Sequence, residues 1–326
     1  VRLALRLLPL LVLALAFGMS AGHDWAGPAD LLHAFAGGDD LRSRLLREWR
    51  LPRVLASACV GAMLGLGGAI FQGVFRNPLA EPYLLGSAGG AAIGATIALL
   101  VPLGIPSAPA LAGLSFAGAW GATVLVLSVA RGAATADAAG LLLAGVAVAA
   151  MLGAVRSFLM LALSDESVSL QVVLSWTLGG IQTPTWPSLA LMVALSAGAL
   201  ALSLPLAGGL DLLGLGEEQA RAFGLDAQRF LHRAVLVGAA VVALAVAYGG
   251  LVAFIGLVAP HVARWMVGPR HRRLLAVSAV VGAIVVTLGD GLARSLLPPA
   301  EIPLGLITAA AGGPFFLILL RRRMRL

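Results

Sequence analysis

Apolar residues run almost unbroken through nine stretches of the chain, at about 3–20, 52–74, 83–102, 109–130, 138–161, 186–205, 234–267, 274–297 and 303–320. Short polar segments separate them. A helix needs roughly 20 apolar residues to cross the hydrocarbon core of a bilayer, so most of these stretches predict one crossing each. The run at 234–267 is too long for a single helix, and Gly249, Gly250 and Pro260 interrupt it. Read as two crossings, it gives ten spans, the eighth being short or partly irregular around "AFIGLVAPHVARW". Irregular backbone at that depth is tolerated only where it packs in protein or lines a cavity. The opening "VRLALRLLPLLVLALAFGMSAGHDWA" has the layout of a secretory signal. Its length and the many spans that follow favour a first transmembrane helix.

The basic residues choose between one crossing and two at 234–267. One crossing would leave "RHRR" and the "RRRMR" tail outside, against the rule that basic loops stay in the cytoplasm. Two crossings place both inside, with both termini cytoplasmic. On this topology fifteen of the 22 arginines lie at the cytoplasmic face and seven at the external one. Five of the seven crowd "RSRLLREWRLPR": Arg42, Arg44, Arg47, Arg50 and Arg53.

Composition narrows the function classes. With 60 % hydrophobic and 11 % charged residues among 326, and a mean hydropathy of +0.98, lipid is the solvent for most of the chain. The net charge of +7 resides in short loop runs, which points to topology rather than to nucleic acid. There is no lysine, so no ordinary phosphate-binding P-loop is present. Cys59 is the single cysteine, and no disulfide can form within the chain. His23, His33, His232, His261 and His271 lack the spacing of a zinc site, and His261 reads as structural. No catalytic constellation, metal site or cofactor site emerges. Gly61 and Gly65, and Gly86, Gly90 and Gly94, recur every fourth residue, as helices in close lipid-embedded contact require. One membrane domain over 1–326 is the simplest organisation.

Four polar stretches punctuate it. In "FRNPLAEPYLLGSAGG", 75–90, Pro78 and Pro82 end the second span in a tight turn. Residues 210–233 read as a cytoplasmic helical pair: Glu217 and Glu218 start one helix, Gly224 breaks it, and Gln228 and Arg229 begin a second. That pair could rest on lipid or dock to a partner. "WTLGGIQTPTWP", 176–187, is an external connection in which Trp176 and Trp186 suit an aromatic belt. Near the external end of the ninth span, Asp290 and Arg294 stand four apart, close enough to pair on one helix face.

In order and register from about Trp49 to Arg321, the series "RLPR", "GAIFQGVFRNPLAEPYLLGSAGGAAIGA", "LLLAGVAV", "EEQARAFG", "GLVAFIGLVAPHVARW" and "GDGLAR...EIPLGLITAAAGGPFFLILL" resembles the FecCD family. These are the permeases of ABC importers for ferric siderophores, haem and cobalamin. The resemblance implies an all-α, ten-span, type II importer permease that pairs with a second copy or a related permease. Two ATPase subunits, which bind ATP and Mg, would sit below, and a periplasmic or lipoprotein binding protein above. It further implies that Glu217, Glu218, Ala220, Arg221, Gly224 and Arg229 belong to the ATPase-coupling segment. Asn77 and Leu79 match the cytoplasmic gate of the cobalamin branch. Where that branch has hydroxyl residues for a second gate, this chain has Ala138 and Ala139. Arg50, Arg53 and Arg294 match arginines that meet glutamates of the binding protein, although Asp290 could occupy Arg294. The implied setting is a bacterial or archaeal cytoplasmic membrane, and the implied cargo a metal chelate, ferric siderophore first and haem or cobalamin next. A channel or secondary transporter working alone is the alternative; it would call for ionisable residues at mid-membrane, and the sequence offers few.

Overall fold

The structure, a computed structural model, describes residues 4–104, 107–132, 138–163 and 169–323. The described residues are almost entirely helical. In chain order the helices are α1 (Ala4–Ser20), α2 (Pro28–Phe35), α3 (Leu41–Leu45), α4 (Leu51–Val74), α5 (Ser87–Leu100), α6 (Ser107–Gly132), α7 (Ala138–Leu163) and α8 (Ser169–Thr177). They continue as α9 (Trp186–Ser203), α10 (Ala207–Leu213), α11 (Glu217–Ala222), α12 (Ala227–Gly249), α13 (Ile255–Val267), α14 (His271–Ala293) and α15 (Leu304–Arg323). Six helical runs are long and apolar enough to cross a membrane: Leu41–Val74, Ala108–Arg131, Ala139–Leu163, Trp186–Leu213, Ala227–Gly249 and His271–Ala293. Four shorter apolar helices, Leu7–Ser20, Ser87–Leu100, Ile255–Val267 and Leu304–Leu319, bring the set to the ten expected.

The long run at 234–267 is indeed two helices. α12 ends at Gly249, and α13 starts at Ile255 after Phe254 takes a left-handed backbone with φ 67°. The break packs inside the bundle: Tyr83 Oη donates to the Val252 carbonyl at 3.1 Å, and Gly180 N donates to the Gly249 carbonyl at 3.0 Å. Pro260 lies within α13 and cannot donate to the Gly256 carbonyl, as a helical residue would. The side-chain amide of buried Gln72 stands in, 3.4 Å from that oxygen and 3.3 Å from the Leu257 carbonyl. Arg264 Nη2 donates to the same side chain's Oε1 at 3.1 Å.

α4 is the central helix, packed by α14, α12, α13 and α9. Small residues allow the closest crossing. A methyl group at Gly61 would collide with the Gly282 carbonyl, and one at Gly65 with that of Ser278. Gly90 and Gly94 make the same kind of contact for α5 against α6, at Gly118 and Leu114. Gly86 departs from the reading as a packing glycine: it sits at the N-terminus of α5 with φ 75°, where a left-handed turn requires it. A π-helical turn, Leu46–Arg50, joins α3 to α4 just ahead of Pro52. There Leu51 N bonds to the Leu46 carbonyl, so the ladder shifts by one residue where proline removes a donor.

Three expectations change in detail. The second coupling helix is no separate element but the first turns of α12, which begins at Ala227. Trp176 belongs to the core rather than to an interfacial belt, being 8 % exposed, whereas Trp186 is exposed at the start of α9. α8 interrupts the connection between the fifth and sixth spans. α7 is the least covered long helix, with Leu143, Val146, Met151, Val155, Phe158 and Leu161 all exposed.

Candidate functional site

The bundle has two unlike polar ends. At one, α4 and α14 present Arg53 and Arg294; at the other, they meet the turn at Asn77 and the segment 207–226.

At the Arg53 end, two guanidinium groups converge on one buried carboxylate. Asp290 is 1 % exposed; its Oδ1 accepts from Arg53 Nε and Nη2 at 3.2 and 3.1 Å, and its Oδ2 from Arg294 Nε at 3.0 Å. The outer edge of Arg53 forks onto Glu301, with Nη1–Oε1 at 3.0 Å and Nη2–Oε2 at 2.8 Å. Two cations and two anions therefore neutralise one another, as charges leaving water require. Arg294 does not project outward as the resemblance implies. It is 6 % exposed, and its Nη1 and Nη2 cap the C-terminus of α1 through the carbonyls of Ala21 and Gly18, both at 2.9 Å. Asp290 turns it inward, and the unpaired carbonyls at a helix end attract a cation. Arg50 serves the same terminus, bonding the Met19, Ser20 and Asp24 carbonyls, and stays partly exposed. Arg42 pairs with Asp30 at 3.0 Å, and Arg47 bonds the carbonyls of Ala34 and Gly38, both at 2.9 Å. Arg42, Arg47 and Arg50 thus knit residues 19–38 to α3 and the π-helical turn ahead of α4. Arg44 alone of the five points into solvent without a polar partner among the described residues.

Arg53, Asp290, Glu301, Gln182 and Trp176 line a cavity of about 280 Å³ that opens at this end. Glu301 was not singled out in the sequence, because nothing local joins it to a residue 248 positions away.

At the other end, Arg76 adopts φ 50°, and Asn77 follows in a self-closing turn: its Oδ1 accepts from Leu79 N at 3.0 Å. The two candidate gate residues are thereby one unit, with Asn77 exposed and Leu79 partly covered. Glu81, two residues on, accepts from Phe254 N at 3.0 Å and so anchors the broken segment before α13. Burial pushes the Glu81 carboxyl above its usual range, partly opposed by this bond. Glu81→Ala is expected to leave the Phe254 N–H unpaired and to destabilise by about 1–3 kcal/mol. Glu81→Gln, which keeps an acceptor oxygen, is expected to cost well under that; thermal unfolding of both variants in detergent checks the difference. Ala139 is exposed on α7, and residues 133–137 lie outside the described residues.

The first helix expected within residues 210–233 is present as α11. α11 ends in a Schellman motif: Gly224 has φ 83°, Leu225 N bonds the Ala220 carbonyl at 3.0 Å, and Gly224 N bonds that of Arg221 at 2.8 Å. Ala220 is fully buried with Leu213, Ala227 and Leu225, while Glu218, Leu215 and Phe223 face outward. Arg229 pairs with Asp226 at 3.1 Å. Glu217 lies 3.9 Å from Arg221 and 3.5 Å from Arg76. The Arg76 contact joins α11 to the Asn77 turn across 141 positions, which no spacing rule reveals. α10 is tied to the start of α14 as well, since Asp211 Oδ1 accepts from His271 N at 2.9 Å and Nδ1 at 2.7 Å. Among the described residues no cluster of His, Cys, Asp or Glu could hold a metal ion.

The hemin transport permease HmuU of Yersinia pestis is 39 % identical over 279 residues, covering 84 % of this chain and 82 % of that one. The cobalamin import permease BtuC of Halobacterium salinarum is 38 % identical over 278 residues, covering 84 % and 72 %. A solved inward-facing structure, of a protein assigned to the metal-chelate type of ABC transporter, superposes with a TM-score of 0.84 at 29 % identity over 98 % of both chains. Residues 10–322 match the model of the FecCD transport family, and with a match of that extent the chain belongs to this family.

Proposed function

We propose that the chain is the permease subunit of an ATP-driven importer that moves a metal chelate across a bacterial or archaeal cytoplasmic membrane. Ferric siderophore, haem and cobalamin are the candidate cargoes. The supporting observation is the pairing of two unlike polar ends on one apolar bundle in a FecCD chain. One end carries the neutralised arginine–carboxylate cluster beside a cavity. The other presents a short capped helix with exposed Leu215, Glu218 and Phe223, fastened to the Asn77 turn.

In this reading the Arg53 end is external and receives a substrate-binding protein. Arg50 and Arg53 orient that encounter, and Arg294 holds Asp290 and α1 in place behind them. The opposite end and both termini are cytoplasmic, and α11 seats in an ATPase that binds ATP and Mg. Two permease copies pair, and the exposed apolar stripe of α7 is available for that contact or for lipid. ATP-driven movement of α11 would reach the gate through Glu217 and Arg76, so that Asn77 and Leu79 open one side as the other closes.

Proteoliposomes holding the chain with its ATPase and binding protein should accumulate one chelate from a panel of ferric siderophores, haem and cobalamin, and only with ATP. Equal accumulation when the ATPase is left out would contradict the proposal.

A further inference from the structure

The Arg53–Glu301 pair has an asymmetry that the docking reading does not use. The inner edge of Arg53 is fixed: it meets Asp290, which is 1 % exposed and clamped from behind by Arg294. The outer edge meets Glu301, whose side chain is 52 % exposed while that of Arg53 is 16 %. An ion pair with one half in water is a weak and exchangeable contact, whereas a buried carboxylate held between two guanidinium groups is not. Glu301 also belongs to the irregular segment 294–303, which runs straight into α15 and forms part of the cavity rim. Beyond Arg294 and Ser295, whose side chains are bonded, Ile302 N meets the Ala293 carbonyl and, just inside α15, Gly305 N meets that of Leu178, each at 3.0 Å.

The geometry points to Glu301 as an internal stand-in for a partner's carboxylate. With no partner present it satisfies the outer fork of Arg53. An acidic group on a docking protein takes its place, at no change in the charge around Arg53, and frees Glu301 and the segment leading to α15. Docking and loosening of the cavity rim thereby become one exchange. The inference rests on the docking reading above and adds to it the identity of the competing group.

The test measures binding of the cognate substrate-binding protein to the assembled transporter in nanodiscs. The variants are Glu301→Gln, Glu301→Asp, Arg53→Gln, the Arg53→Gln/Glu301→Gln double variant, and Glu48→Gln as a control. Glu48 is an exposed carboxylate near the same end with no polar partner among the described residues. Its removal changes net charge without touching Arg53. The expected result is binding about two- to fivefold tighter for Glu301→Gln, the scale of one exposed ion pair. Glu301→Asp should fall between it and wild type, Glu48→Gln should stay near wild type, and the gain should vanish in the Arg53→Gln background. Equal affinities for Glu301→Gln and wild type, or an equal gain from Glu48→Gln, would overturn the exchange while leaving docking intact. A wild-type transporter that binds no such protein would overturn the docking reading, and the exchange with it.

Discussion

Arg53→Glu is expected to weaken binding of the substrate-binding protein by at least about a hundredfold, equivalent to about 2.7 kcal/mol. The substitution sets a third carboxylate beside Asp290 and Glu301 and leaves Arg294 as the only cation among them. Because Asp290 is buried and Arg294 alone does not offset the carboxylates left beside it, losing Arg53 is also expected to destabilise the fold by about 3–5 kcal/mol. Thermal unfolding separates this loss from docking, and Arg53→Gln provides a milder second variant. Arg50→Glu is expected to act differently, since Arg50 spends its donors on the carbonyls at the end of α1. Its effect on docking should be smaller and should shrink at high salt, as for a charge that mainly steers an encounter. Unchanged affinity and unchanged salt dependence in both variants would remove the arginines from the docking surface.

The second large effect is expected in the coupling segment. Ala220 has no exposed surface and sits against Leu213, Leu225 and Ala227, so Ala220→Arg cannot be housed without displacing α11. Transport should fall below detection, and ATP hydrolysis should continue at the basal rate or the ATPase should dissociate. The unfolding temperature should change little, because α11 is a six-residue helix at the edge of the bundle. Gly224→Val, which forces a β-branched residue to φ 83°, should produce a weaker form of the same loss. Coupled transport retained in both variants would exclude α11 as the contact.

Much of the scaffold was legible because its cause is local. Nine apolar stretches follow from hydropathy, and the split at 234–267 follows from glycine and proline inside a run too long for one helix. The helix from Glu217, its stop at Gly224 and the Asp290–Arg294 pair are likewise relations within one or two turns. What escaped was non-local. The fork of Arg53 on Glu301, the repair of α13 by Gln72 and the contact between Arg76 and Glu217 each join residues more than 100 positions apart. Pro260 marked an interruption of the long run, but not which side chain would meet the carbonyl it leaves free. Arg294 shows the limit most clearly. The family resemblance implies an outward arginine, while the nearby aspartate and the bare end of α1 draw it into the protein.

The division of labour between the two ends is open to one direct measurement. In a Cys59→Ser background, Glu48→Cys and Phe223→Cys place single thiols at the Arg53 end and on the coupling segment. A membrane-impermeant maleimide applied to intact spheroplasts should label position 48 and not 223. In inverted vesicles the pattern should reverse. The ATPase should slow labelling at 223 and leave labelling at 48 unchanged. Labelling of both positions from the same side, or protection of position 48 by the ATPase, would contradict the assignment of the ends.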